Sequence, residues 1–143
     1  MSATEPKRQA TPWRSAGFSK TRFTNSLHIK KSQIKPGITL MEFTDSIRMG
    51  DDCRRLEQEV DQLISQKETR VIFDLSDVSY LDSSGIGSIV KSLSRLKKSG
   101  GDLRLAGVKG MVEGVLKLTR VNTVVEIFST ATEASEGFPP ARQ

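Results

Sequence analysis

The sequence contains few of the residues that build disulfides and metal sites. Its 143 residues include one cysteine and one histidine. A single cysteine excludes an internal disulfide and a cysteine-clustered zinc site, and a single histidine disfavours a metal centre that needs several imidazoles. We therefore expect neither a metal nor a cofactor in this chain.

Long apolar runs are absent as well. No run approaches the roughly 20 residues that cross a bilayer, so we expect no membrane span. The N-terminus contains charges and prolines without an apolar block, which is not the pattern of a secretory signal peptide. Apolar residues make up 36% of the chain in short segments, enough for the core of one domain. These features predict a soluble cytoplasmic protein.

The net charge of +5 comes from the N-terminal part of the chain. Residues 1–33 carry seven basic side chains and one acidic side chain, whereas residues 34–143 carry 15 basic and 16 acidic ones. Nucleic-acid-binding domains spread basic side chains over a binding face. Because the larger part of this chain is nearly neutral, we expect no direct DNA binding by its domain.

Apolar patterning divides the chain into three segments. Residues 1–24 lack apolar periodicity and are predicted to form a basic, flexible N-terminal extension. This extension is either an electrostatic tether to a polyanion or a solvated tail without a partner. Residues 25–136 carry the pattern of a folded domain. Residues 137–143, with two consecutive prolines, are predicted to form a flexible C-terminal tail.

Strand and helix patterns alternate along the domain, which predicts an α/β fold. A hairpin with a turn at Pro36-Gly37 precedes a helix that Asp51 or Asp52 is expected to cap. The apolar stripe of this helix consists of Cys53, Leu56, Val60, Leu63 and Ile64. On this stripe, Cys53 is expected to be a small buried hydrophobe rather than a nucleophile. His28 lies in the first strand pattern and is expected at the surface.

One segment has a composition that suggests chemistry: Asp82-Ser83-Ser84-Gly85-Ile86-Gly87, between a strand end and a helix start. Unpaired N–H groups at a helix start favour negative charge. Ser83 and Ser84 are natural capping residues there, and glycines permit the close approach of a backbone or a phosphate.

Several interpretations of this segment compete. A serine nucleophile is disfavoured, because the segment is not Gly-x-Ser-x-Gly and the single histidine lies in a distant strand. A nucleotide-binding glycine loop is disfavoured because no Gly-Lys-Ser/Thr follows. Helix capping alone, or a phosphorylation switch that adds about 1.5 to 2 negative charges, remain open. No acid–base pair or metal set emerges, so we do not expect an enzyme.

The segment from Tyr80 to Gly87, preceded by Val71-Ile72-Phe73-Asp74-Leu75 and followed by Gly100-Gly101-Asp102-Leu103-Arg104-Leu105, resembles the STAS domain of bacterial anti-sigma-factor antagonists. The resemblance extends over roughly residues 26–136. It implies a single α/β domain with a mixed β-sheet of about four to five strands and helices packed mainly on one side.

The resemblance also implies a partner and a switch. In this family the unphosphorylated antagonist binds an anti-sigma factor that usually has serine kinase activity, and phosphorylation of the serine after the motif aspartate releases it. A serine phosphatase resets the antagonist. The matching residue here is Ser83, with Ser84 as the second candidate. Asp82, Gly85 and Gly87 would support the phosphosite.

The sequence departs from the family pattern at one place. Family members usually carry Gly-x-x-Asp after the second strand, with that Asp close to the phosphorylated serine, and Arg48 stands at about this position. Either Asp45, Asp51 or Asp52 substitutes for it, or Arg48 pairs with the phosphate. A ligand-sensing or scaffold domain that does not use the serine is the alternative function.

Overall fold

The structure is a computed structural model that describes residues 27–142, so the predicted extension of residues 1–24 lies outside the described residues. Five strands and four α-helices alternate after an initial hairpin. In chain order they are β1 (His28–Lys35), β2 (Ile38–Ile47), α1 (Asp51–Ser65), β3 (Arg70–Leu81), α2 (Ser83–Lys98), β4 (Asp102–Ala106), α3 (Gly110–Leu118), a 3₁₀ turn (Val121–Thr123), β5 (Glu126–Phe128) and α4 (Ala131–Ser135).

The sheet is mixed, and its spatial order β1-β2-β3-β4-β5 follows the chain. β1 and β2 are antiparallel, whereas every later neighbour is parallel. The hairpin turns at Pro36-Gly37, as predicted, and Gly37 has a φ of 79°, which a residue without a Cβ adopts at little cost. The predicted mixed sheet of four to five strands is thus confirmed, with five.

Three helices cover one face of the sheet. The apolar stripe of α1 is buried from Cys53 to Leu63, as its spacing predicts, and it packs with α2 and α3 on the same core. At the centre, the rings of Phe43 and Phe73 meet edge to face with 4.9 Å between centroids. The prediction that helices pack mainly on one side is therefore confirmed.

The opposite face carries a smaller cluster closed by α4 and the segment after it. Phe138 is 6% exposed and packs with strand residues Leu40 and Ile72. Arg70 and Arg104 hold their guanidinium groups 5.4 and 4.7 Å from the centre of its ring. Within the segment predicted to form a flexible tail, Phe138 is thus buried, because a large apolar ring gains by burial where two arginines also hold it.

Other boundaries also differ from the sequence patterns. β3 is a strand of 12 residues that extends well beyond the Val71–Leu75 run of the sequence pattern, and β5 has only three residues. A 3₁₀ turn at Val121–Thr123 precedes β5. Among residues 27–142, none of the helices combines the length and apolar character that a membrane crossing requires.

Candidate functional site

The site forms where β2 and β3 end side by side. Ile47 and Leu81 are register partners in this parallel pair, and each is the last residue of its strand. Parallel neighbours deliver the following loops to the same edge of a sheet. The Arg48–Gly50 loop and the first turn of α2 therefore lie next to each other.

Asp82 joins these two segments. One carboxylate oxygen accepts a hydrogen bond from the backbone N–H of Gly85 at 2.8 Å, and the other accepts from the N–H of Met49 at 2.9 Å. Asp82 has extended backbone and is the N-cap of α2. The expectation that Ser83 or Ser84 caps this helix is wrong, because the carboxylate one residue earlier already satisfies the free N–H group.

The two serines consequently begin the helix with their hydroxyl groups free of the capping role. Ser83 is exposed, and Ser84 is partly buried. The first turn of α2 contains no acidic residue. Ser83 is therefore the more accessible hydroxyl at a helix end whose dipole favours negative charge.

The two motif glycines have different roles. A Cβ on Gly85 would lie 2.5 Å from the carbonyl oxygen of Ile47, so the start of α2 packs directly on the end of β2. A Cβ on Gly87 would meet nothing within 4 Å. Gly85 meets the expected need for close approach, whereas Gly87 simply leaves part of the α2 surface without a side chain.

The three acidic candidates near Arg48 lie in different settings. Asp52 accepts a hydrogen bond from the N–H of Arg48 at 3.1 Å, and Asp51 forms an ion pair with Arg54. Asp45 lies within β2, two residues before the strand ends, with a φ of 86°. Gly50 rather than Asp51 or Asp52 is the N-cap of α1, because Asp52 turns back to the loop instead of binding a helix N–H group.

Arg48 itself stacks on an aromatic ring. Its guanidinium lies 5.1 Å from the centre of the Tyr80 ring. Tyr80 is 39% exposed, and the neighbouring Met49 is 75% exposed. The contact between Arg48 and Tyr80 was not predicted from the sequence. The signal that could have found it is the position of both residues at the ends of adjacent strands.

One face of α2 extends this surface. Ser83, Gly87 and Val90 are all exposed, and their spacing of four and three residues places them on the same side of the helix. We call Ser83, Gly87, Val90 and the neighbouring Met49, whose N–H binds the Asp82 carboxylate, the α2 face. It combines a hydroxyl with exposed apolar side chains, a mixture typical of protein-binding surfaces.

A network of polar side chains links α1 to α2. The Ser88 hydroxyl donates to the Glu57 carboxylate at 2.6 Å, and Lys91 donates to its other oxygen at 3.2 Å. Both contacts lower the pKa of Glu57, and the hydrogen bond from Ser88 has the larger effect. Burial raises the pKa of the nearby Cys53 thiol, in keeping with the predicted role of a small buried hydrophobe.

One cavity of the domain lies away from Ser83. This cavity of about 610 Å³ lies between α3, the 3₁₀ turn and β5, with Leu116, Val125 and Phe128 in its wall. Within residues 27–142, no group of three or more His, Cys, Asp or Glu side chains is arranged to hold a metal ion. Ser83 is exposed and does not belong to the wall of this cavity.

Comparison with known proteins identifies the family. The family model described as the STAS domain matches residues 30–134. Relatives that match this chain are named as anti-sigma-factor antagonists. The chain belongs to the STAS-domain family of anti-sigma-factor antagonists.

Individual relatives support the same assignment. A candidate anti-sigma factor antagonist of Thermotoga maritima is 36% identical over 76 residues, which cover 53% of this chain and 67% of the relative. The anti-sigma-B factor antagonist of Bacillus subtilis is 34% identical over 53 residues, covering 37% of this chain and 49% of the relative. A crystal structure of a candidate antagonist from Thermotoga maritima superposes with a TM-score of 0.71 and 25% identity, covering 77% of this chain and 93% of that one.

Proposed function

We propose that this chain binds an anti-sigma factor with serine kinase activity while Ser83 is unmodified, and that phosphorylation of Ser83 releases it. A serine phosphatase then restores the binding form. The role is regulatory rather than catalytic, is exercised in the cytoplasm and involves no direct contact with DNA. Residues 25–136 form the binding domain, and the basic extension of residues 1–24 is not required for it.

The observation that carries the proposal is the position of Ser83. Its side chain is exposed at the first residue of α2, directly after the capping Asp82. A kinase needs an accessible hydroxyl, and Ser84 is partly buried in the same turn. The family membership supplies the partner class, since relatives of this chain are named as anti-sigma-factor antagonists.

The α2 face explains how a phosphate would act. Ser83 shares this face with Gly87 and the exposed Val90. A partner that covers these residues would bury the phosphate dianion, which costs desolvation unless the partner supplies a cation. The domain itself tolerates the charge, because Ser83 is exposed and helix N-termini favour anions. Phosphorylation therefore weakens binding without unfolding the domain.

The acceptor is tested by co-expressing the full chain with a candidate cognate anti-sigma kinase and measuring intact mass. The wild type is expected to gain one phosphoryl group. Ser83→Ala should abolish this gain, whereas the matched control Ser84→Ala should retain it. Unchanged labelling of Ser83→Ala would contradict the assignment.

Release is tested by calorimetric titration of the partner with phosphorylated and unphosphorylated protein. The phosphorylated form should bind more weakly by about 2 kcal/mol or more, as expected for a charge buried without a partner. Ser83→Asp should lose affinity in the same direction while its melting temperature stays within a few degrees of wild type. Equal affinities of the two forms would favour the ligand-sensing or scaffold function instead.

A further inference from the structure

Arg48 is a cation without a carboxylate partner among residues 27–142. Two cations of the adjacent helices do have such partners, since Arg54 contacts Asp51 and Lys91 contacts Glu57. Arg48 instead holds its guanidinium over the exposed ring of Tyr80. A cation–π contact at an exposed site is a weak attraction. The guanidinium therefore remains available to a stronger anionic partner.

Arg48 and Ser83 are carried to the same place by the sheet. Arg48 follows Ile47 directly, and Ser83 comes two residues after Leu81, the register partner of Ile47. Neighbouring strands lie about 4.8 Å apart, so an arginine side chain spans the gap between the two segments. The hydrogen bond from Met49 to Asp82 fixes the loop against the start of α2.

The carboxylates nearest Arg48 bind backbone N–H groups and not its guanidinium. Each oxygen of the Asp82 carboxylate already accepts a backbone hydrogen bond, and Asp52 accepts from the Arg48 N–H group. Guanidinium and phosphate form bidentate, charge-assisted hydrogen bonds, which are stronger than neutral ones. A phosphate also offers more negative charge than the face of an aromatic ring.

We propose that phosphorylation of Ser83 draws the Arg48 guanidinium away from the Tyr80 ring and into an ion pair with the phosphate. This inference rests on the proposed function, because it concerns the phosphorylated state of Ser83. It gives the modification two effects at this edge of the sheet. A charge appears at Ser83, and the contact that covers one side of Tyr80 is removed.

The test places phosphoserine at position 83 by genetic encoding in the full chain, together with fluorotyrosine. Tyr80 is the single tyrosine of the sequence, so its fluorine signal reports one ring. Phosphoserine should shift this signal in the wild type. It should not shift the signal in Arg48→Ala, where no guanidinium can move. Arg54→Ala is the matched control, because that arginine is already paired with Asp51, and it should keep the full shift.

Phosphorus NMR provides a second readout, the second pKa of the phosphate on Ser83. This pKa would not change if Arg48 had only a structural role. An adjacent cation favours the dianion, so the second pKa of the phosphate should be higher in Arg48→Ala than in wild type, by about half a unit. Arg48→Lys should give an intermediate value, because an ammonium keeps the charge but loses the bidentate geometry.

Equal phosphate pKa values in wild type and Arg48→Ala, with the same Tyr80 shift in both, would overturn the proposed pair. Because the phosphoserine is introduced without a kinase, this result would leave the proposed function intact. Failure of the proposed function would appear separately, as the absence of Ser83 labelling by the kinase.

Discussion

The two faces of the sheet are held by different kinds of interaction. Against the first face, α1, α2 and α3 pack apolar side chains around Phe43 and Phe73. On the second face, the apolar cluster is small, and the segment after α4 is attached largely through Arg70 and Arg104. The first face resembles the interior of a larger domain. The second is closed by a few polar and aromatic contacts.

This difference has a physical lesson. Apolar packing is distributed over many contacts, so its loss at one residue is felt across the first face. The Arg104 guanidinium instead donates to the carbonyl oxygens of Ala134 and Glu136 at 2.9 and 2.8 Å and packs on the Phe128 and Phe138 rings. Attachment of the final segment therefore depends strongly on this one side chain.

The largest expected effect compares one aromatic ring on each face. Phe73→Ala should lower the free energy of unfolding by about 3–5 kcal/mol, because Phe73 is fully buried and a cavity would remain. Phe138→Ala should cost less, since the segment that carries it can detach without opening the main core. Urea denaturation of both variants measures the two losses. Equal losses would show that the faces unfold as one unit.

The second comparison removes the polar attachment. Arg104→Met should cost about 2 kcal/mol, because buried carbonyl oxygens would lose their hydrogen-bond donors. Glu126→Ala is the matched control: its carboxylate is 66% exposed and pairs with the same arginine. Exposed pairs contribute about 0–1 kcal/mol, so this loss should be small. Hydrogen exchange should show faster opening of residues 134–142 in Arg104→Met but not in Glu126→Ala. If both variants opened this segment equally fast, the role assigned to Arg104 would be refuted.

A third comparison concerns the stability effects of Gly85 and Gly87. Both glycines belong to the site at the edge of the first face. Gly85→Ala should destabilise by about 1 kcal/mol, since its Cβ would overlap the Ile47 carbonyl oxygen. Gly87→Ala should stabilise by about 0.5–1 kcal/mol, because alanine favours the helix and space is open there. Thermal unfolding distinguishes the two signs. A gain for both substitutions would mean that α2 does not pack tightly on β2.

The smallest effect concerns acid. The Ser88 hydroxyl and Lys91 lower the pKa of Glu57 in the folded protein. The ionised carboxylate therefore stabilises the fold fully above its ordinary pKa of about 4.3, and this contribution is lost as pH falls below that value and through the lowered pKa. Glu57→Gln should therefore reduce stability at pH 7 by less than about 1 kcal/mol, and the difference from wild type should shrink at pH 3. A difference independent of pH would contradict this.

Local sequence patterns predicted the elements that are determined by residues close together in the sequence. Pro36-Gly37 identified the hairpin turn, and apolar spacing identified the buried stripe of α1. Alternation in Leu103-Arg104-Leu105 could also have placed Arg104 on the face opposite the two leucines, where the structure has it. Composition and position singled out the segment around Ser83, whereas the function expected of it came from a resemblance.

Long-range contacts account for what the sequence did not predict. Asp82 was considered only as a motif residue, yet its second oxygen binds the N–H of Met49, 33 positions earlier. Likewise, Phe138 is followed by two prolines that suggested fraying, but its ring is received by strands far away in the chain. Neither partner is visible from local spacing, because each depends on which strands become neighbours.

The burial of Phe138 also gives the order of synthesis a role in folding. When β1 to β4 have left the ribosome, the sheet can pair while its second face still exposes Leu40 and Ile72. Exposed apolar surface of this kind promotes aggregation of partly folded chains. The segment that closes the face is translated last among the described residues. If another protein were fused in place of residues 138–143, the second face of the sheet would stay open permanently. Translation that proceeds without a pause to residue 138 keeps the time during which Leu40 and Ile72 are exposed short.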